Sequence, residues 1–297
     1  MTSSAQPNPA AVFYGGGRVA RWFSVALRAA HGIAPAIGTR LALRLFFTPL
    51  PLKTTARRRP VPAPWRAERF PLEGGSAVLW RRPDLEGGAT RHDRPLVLLV
   101  HGWGGDAMQM RTLGDAIAQA GFAPLLLDFP GHGRSDGWRS TLPQFVRTLF
   151  AVQARVGPLH AVVAHSLGAL AAAHAAAKGL AVERLVLVSA SPPPAKVISW
   201  FAHGFGVGEV LARRMKQTIE GIEGIPLEQF EPAWLGARLS QPTLVVHDAA
   251  DRAAPLAAGK GLAKALPNAR LMVTDGLGHR RGLNDAQVIE AVARHLR

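Results

Sequence analysis

The chain contains no cysteine. That excludes disulfides, cysteine-ligated zinc and a thiol nucleophile, and leaves serine to carry nucleophilic chemistry. The opening MTSSAQPNPA lacks a basic segment running into an apolar stretch with a small-residue cleavage site, so a cytoplasmic location is expected rather than secretion. Arg28, Arg40 and Arg44 interrupt the most apolar N-terminal region, and no membrane-crossing helix is expected there. Acidic residues are also missing from one end. Residues 1–66 hold ten of the 35 Lys and Arg and no Asp or Glu. Of the formal +15, only +5 therefore belongs to the rest of the chain, with 25 basic against 20 acidic residues.

What remains is the composition of a globular protein. Hydrophobic residues make up 48% of 297 positions, enough for a sizeable core in one catalytic domain with appendages. No internal repeat is visible.

The basic end reads as a helical arm. From Arg18 to Ala30 a helical wheel puts Arg18, Arg21 and Arg28 on one side and Val19, Trp22, Phe23 and Ala26 on the other. A second helix is expected from Ala36 to Phe47, with Ile37, Leu41 and Leu45 in one stripe and Arg40 and Arg44 a turn apart. Pro49, Pro51, Pro60, Pro62 and Pro64 then surround Arg57, Arg58 and Arg59, a composition that favours an extended linker. The arm is assigned to residues 1–64 and the catalytic domain to 65–297. Two roles are open for it. Its apolar stripes pack on the body or on a second subunit, or they attach the protein peripherally to an anionic inner membrane surface. No nucleic-acid-binding motif accompanies the charge, and no nucleic-acid partner is expected.

Beyond the arm, ERFPL and AVLWR flank Gly74-Gly75 between Glu68 and Arg82 and read as a hairpin. Near-continuous apolar runs follow at 95–100, 124–128, 160–164, 184–189, 242–247 and 270–274, as in strands covered on both faces. Helical windows at roughly 107–120, 141–155, 167–178, 257–266 and 284–296 alternate with them. Such alternation predicts an α/β fold with a mostly parallel central sheet and helices on both faces. One connection, at about 190–241, is too long for a loop. It carries Pro192-Pro193-Pro194, a helix expected from Glu209 to Glu220, and Trp200, Phe201, Phe205, Phe230 and Trp234; it reads as a short helical lid inserted after the sixth strand.

Ala164-His165-Ser166-Leu167-Gly168 joins a buried-type strand to an alanine-rich helix. Alone, Ser166 could be an ordinary helix cap. The segment resembles the nucleophile elbow of the α/β-hydrolase superfamily, with Ala164 where that pattern usually has glycine. Four further segments resemble the family in the expected chain order. Asp248-Ala249-Ala250-Asp251-Arg252-Ala253-Ala254-Pro255 follows a strand as the acid loop does, with Asp251 at the matching position and Asp248 as the rival. Gly276 to Leu283 resembles the flexible loop of the catalytic histidine and offers His279, with Asp275 in the preceding turn. His101-Gly102-Trp103-Gly104-Gly105 resembles the oxyanion loop; it lacks the Gly-Lys-Ser or GxGxxG spacing of a phosphate loop. Asp128-Phe129-Pro130-Gly131-His132-Gly133-Arg134-Ser135 resembles the structural D-x-x-G-x-G-x-S turn of the same family.

The resemblance implies an esterase-like serine hydrolase. Ser166 would be the nucleophile, His279 the base, Asp251 its orienting acid, and the backbone N–H groups of Trp103 and Leu167 the oxyanion donors, with no metal or cofactor and a small acyl substrate. Thioester, amide and carbon–carbon cleavage use similar parts, and a hydrolase-like binding protein without catalysis is the non-enzyme alternative. His174 falls inside a helix, and His132 and His160 adjoin a turn and a strand start; no catalytic role is expected for them.

Overall fold

The computed structural model describes residues 18–49, 53–85 and 94–297. Pro51 of the proline-rich stretch, residues 1–17 of the arm and the side chains of Arg18 and Val19 lie outside the described residues.

Eight strands form one sheet among the described residues: β1 (Arg66–Leu72), β2 (Gly75–Arg81), β3 (Leu96–Val100), β4 (Ala123–Asp128), β5 (Leu159–His165), β6 (Val182–Val188), β7 (Thr243–Asp248) and β8 (Ala269–Thr274). Their spatial order is β1-β2-β4-β3-β5-β6-β7-β8. The hairpin forms as the Gly74-Gly75 turn requires, and β2 runs antiparallel to β4. Every other pairing is parallel.

Both faces of the central strands are buried. In β3, Leu98 and Val100 join one core while Val97 and Leu99 join the other, as the two-residue period of a strand dictates. The first core takes α5 (Leu142–Val156) and α6 (Leu167–Ala177), and the second takes α4 (Arg111–Gln119) and the last helix (Ala286–Leu296). Helix α6 is buried all round from Gly168 to Ala176, which its alanines allow because they let the sheet and its neighbours approach closely. The expectation that RLMVT is covered on both faces is corrected. β8 is the sheet edge, paired to β7 alone, and Leu271 and Val273 stand exposed. The window from 107 divides as well: Asp106 caps a short 3-10 turn at Ala107–Met110 before α4 begins.

Between β6 and β7 the chain builds α7 (Pro194–Gly204), α8 (Glu209–Glu223) and the short α9 (Pro232–Gly236). Phe201 and Phe205 are buried beside one another, while Phe230 and Trp234 stack on His174 of α6. The arm lies against this insertion as α1 (Arg18–Ile33) and α2 (Pro35–Phe46). Helix α2 packs on α8, Phe46 meets Phe201 edge to face at 5.3 Å, and Leu27, Ala42 and Leu43 join the first core. The expected stripes divide: Leu45 packs against the first core, whereas Trp22, Phe23, Ala26, Ile37 and Leu41 are exposed, and the buried positions of α2 are Gly38, Thr39, Ala42 and Leu43. The tight α1–α2 turn sets this orientation, since Gly38 sits so close to His31 that an added Cβ would come within 2.6 Å of its Cα.

The expected extended linker contains a helix, α3 (Thr54–Arg58). The prolines resume only at Pro60, and the Lys53 ammonium at its start is buried, donating to the carbonyls of Ser135 and Gly137. Those tertiary bonds fix a segment that composition alone reads as free.

Candidate active site

Four loops at the carboxyl ends of parallel strands converge above the sheet, where α/β folds place their sites. The loop after β5 contributes Ser166, whose φ of 54° and ψ of −119° lie in a region that side chains rarely occupy. The strain is enforced by close packing. A Cβ on Gly102 would meet Ser166 Cβ at 2.6 Å, and one on Gly168 would meet the His101 carbonyl oxygen at 2.3 Å. Two glycines thus let three backbone segments touch. Ala164, where the family pattern has glycine, is absorbed in the first core with no exposed surface.

The loop after β8 carries His279. Its Nε2 lies 3.0 Å from Ser166 Oγ and its Nδ1 lies 2.8 Å from Asp251 Oδ2. A carboxylate only accepts, so Nδ1 bears the proton and Nε2 is left to accept from the serine hydroxyl. His279 is not on a flexible loop as expected; it sits in a one-turn helix, Gly278–Arg281, pinned from two sides. His165 Nε2 donates to the His279 carbonyl at 2.8 Å, and Asp248 accepts from Leu277 N–H and Gly278 N–H at 2.9 and 2.8 Å and from the Thr274 hydroxyl at 2.8 Å. Burial pushes the His165 pKa down to about 3, with the neighbouring His279 adding to it, so that ring stays neutral.

The two candidate acids are thereby separated. Asp251 reaches His279, and Asp248 holds the backbone that carries it. Asp251 is buried, with its second oxygen accepting from Ala253 N–H and Ala254 N–H at 2.9 Å each. Burial alone would raise its pKa; the hydrogen bond and charge of His279 and the two amides outweigh that and hold the carboxyl below its usual range. Beneath it, His247 donates from Nε2 to the Ala254 carbonyl at 2.7 Å, closing the acid loop. Asp275 is exposed in the turn before His279.

The loop after β3 places Trp103 beside Ser166 at the wall of a cavity. Among the described residues, neither Trp103 N–H nor Leu167 N–H has a protein acceptor, and Leu167 opens α6, where the helix dipole favours negative charge. The Asp128 turn braces this loop. Asp128 accepts from Ala107 N–H, Arg134 N–H and the Trp80 indole, Ser135 donates to the Asp128 carbonyl, and His132 Nε2 accepts from Gly104 N–H at 3.1 Å. Gly133 is obligatory there, at φ +48°, since a Cβ would strike the Asp128 carboxylate. Of the remaining histidines, His174 stacks in the insertion's apolar packing and His160 bonds Glu183 and the Leu296 carbonyl.

Ser166 opens onto a carbon-lined cavity of about 100 Å³. Trp200 and Phe201 of the insertion line it, and Phe46 and Phe47 of the arm complete the wall. The other insertion aromatics, Phe205, Phe230 and Trp234, belong to its own packing. Among the described residues no group of three or more His, Asp or Glu could hold a metal ion. Sequence reasoning missed His165, His132 and Asp248 as braces, and Phe46 and Phe47 as lining. Only Asp248 carried a signal, its closeness to Asp251.

A family model described as the α/β hydrolase fold matches residues 95–239, and one described as a TAP-like protein matches residues 223–297. A pimeloyl-[acyl-carrier protein] methyl ester esterase of Aromatoleum aromaticum is 30% identical over 63% of this chain and 92% of its own. Est1E of Butyrivibrio proteoclasticus, solved with ferulic acid, superposes with a TM-score of 0.58 at 21% identity over 77% of this chain and 96% of its own. A bacterial membrane phospholipase A superposes with a TM-score of 0.58 at 15% identity over 94% of this chain and 97% of its own. The strand order, the matched family model and a relative covered almost end to end agree: the chain belongs to the α/β-hydrolase superfamily as an esterase-type member.

Proposed function

We propose that the protein hydrolyses carboxylic esters through an acyl-enzyme on Ser166. The observation that carries this reading is the unbroken chain from buried Asp251 through His279 to Ser166, at 2.8 and 3.0 Å, ending on a strained serine that faces a cavity. In the first step Ser166 Oγ attacks the carbonyl carbon while its proton passes to His279 Nε2. Trp103 N–H and Leu167 N–H bind the oxygen that becomes negative, each such donor being worth about 3 kcal/mol. Collapse of the tetrahedral species breaks the bond to the alcohol, which leaves with the proton from His279. Water then attacks the acyl-enzyme, gives its proton to the same nitrogen, and the acid departs as Ser166 regains its hydrogen.

Asp251 keeps the imidazole in the required tautomer and stabilises its transient charge. The methyl ester esterase from Aromatoleum, as a relative, favours a carboxylic ester, and the carbon-lined cavity favours an apolar acyl group. The insertion acts as the lid over that group.

A fluorophosphonate tests the reading without knowledge of the natural substrate. Intact mass and peptide mapping are expected to give one phosphonyl adduct on Ser166, lost in Ser166→Ala and nearly lost in His279→Ala. Hydrolysis of p-nitrophenyl butyrate should disappear with it. A folded wild-type protein that takes no label and cleaves no ester would leave the pocket as a ligand-binding site instead.

A further inference from the structure

The arm buries Leu27, Ala42 and Leu43, yet both of its helices also turn apolar residues outward, although an apolar face ordinarily finds a partner. On α1, Leu27 points inward and His31 faces the α1–α2 turn. The opposite side of the wheel carries Trp22, Val25, Ala26, Ala29 and Ile33, with Trp22 75% and Ile33 86% exposed. On α2 the exposed side holds Ile37 and Leu41 together with Arg40 and Arg44. Arg21 and Arg28 flank the α1 stripe, and no acidic residue occurs before Glu68.

We propose that this helical hairpin lies in the headgroup region of an anionic lipid surface and holds the enzyme there as a peripheral membrane protein. The charge pattern selects this occupant. A second copy would bring one acid-free arginine surface against another, which repels. An anionic bilayer offers phosphates to Arg21, Arg40 and Arg44 and an acyl boundary to Ile33, Ile37 and Leu41. Trp22 suits such an interface, where an indole keeps its ring in the apolar layer and its N–H near water. No helix among the described residues is long and apolar enough to cross a membrane, so the attachment is interfacial. The proposal does not depend on the chemistry assigned to Ser166.

The test is co-sedimentation of the full chain with vesicles of phosphatidylglycerol and phosphatidylcholine, with pure phosphatidylcholine vesicles in parallel. Binding is expected to the mixed vesicles, strongly reduced on the neutral ones and by high salt. Arg40→Ala and Arg44→Ala should each weaken it about fivefold. The double variant Trp22→Asp with Ile33→Asp should abolish it while leaving hydrolysis of a soluble ester and the circular dichroism unchanged, since both side chains face solvent. The proposal is overturned if the wild-type chain stays in the supernatant. It is equally overturned if the double variant pellets like wild type, or if the free chain is a dimer that the double variant splits into monomers.

Discussion

The loops around Ser166 and the helical arm use their side chains in opposite ways. Around Ser166 the groups that position the chemistry bond inward: Asp248, His165, His247 and His132 each bond a backbone group in a neighbouring loop. In the two arm helices the inward side is plain packing by Leu27, Ala42, Leu43 and Phe46, while Trp22, Phe23, Arg21, Arg40 and Arg44 face out. A site must hold reacting atoms within tenths of an ångström, and buried hydrogen bonds with a single geometry do that. A docking surface needs area and charge, and tolerates looseness.

The contrast is sharpest at Asp251, where Asp251→Asn should lower kcat about 10⁴-fold because the imidazole loses its correct tautomer. Steady-state rates on p-nitrophenyl butyrate measure this, and a variant with wild-type kcat would remove Asp251 from the mechanism. At Asp248 the effect should divide between rate and stability. Asp248→Asn takes the charge from a carboxylate accepting four hydrogen bonds, a cost of about 1–3 kcal/mol.

The Asp248 change also carries a pH signature. Burial pushes the Asp248 pKa up, but the N–H groups of Gly278 and Leu277, with the Thr274 hydroxyl and Ala250 N–H, outweigh it and hold the carboxyl below its ordinary range. A depressed folded pKa gives stability that is complete above the unfolded value, about 4, and is lost as pH falls through the folded one. Melting temperatures of wild type should therefore drop through that acid window, and those of Asp248→Asn should drop less. Equal acid slopes would deny Asp248 its bracing role.

Much of the catalytic rim was legible because its turns need particular residues. Gly102, Gly168 and Gly133 stand where any side chain would collide, and such positions leave a fixed pattern in the chain. The histidine braces left no pattern, since His165 and His132 acquire their partners only when distant loops meet. The arm was legible as two amphipathic helices, but periodicity reports that a face exists and not what it meets. The direction of that face follows from the Gly38–His31 contact, a tertiary fact. For the same reason β8 read as a buried strand: its apolar run cannot announce that it lies at the edge.

Two smaller effects probe the boundary between the regions. Phe46→Ala removes cavity lining supplied by the arm, and should raise KM about tenfold with kcat kept, as measured across a series of ester chain lengths. No change for any chain length would separate arm from pocket. At the far end, Trp22→Ala should alter folding stability by no more than about 0.5 kcal/mol in a denaturant titration, because its ring contacts solvent. A larger loss would mean the ring is packed rather than presented.

Phe46 and Phe47 precede the first strand, outside the segments that the family models match, yet they wall the cavity into which Ser166 opens. If Ser166 is acylated as proposed, acyl-chain selection is divided between the rim around Ser166 and an accessory segment. The side chains of Phe46 and Phe47 carry no hydrogen-bonding group, so changing them removes no hydrogen bond from the rim. On the same reading, exchanging this arm for that of another member of the superfamily is a route to new ester selectivity that leaves the reacting groups in place.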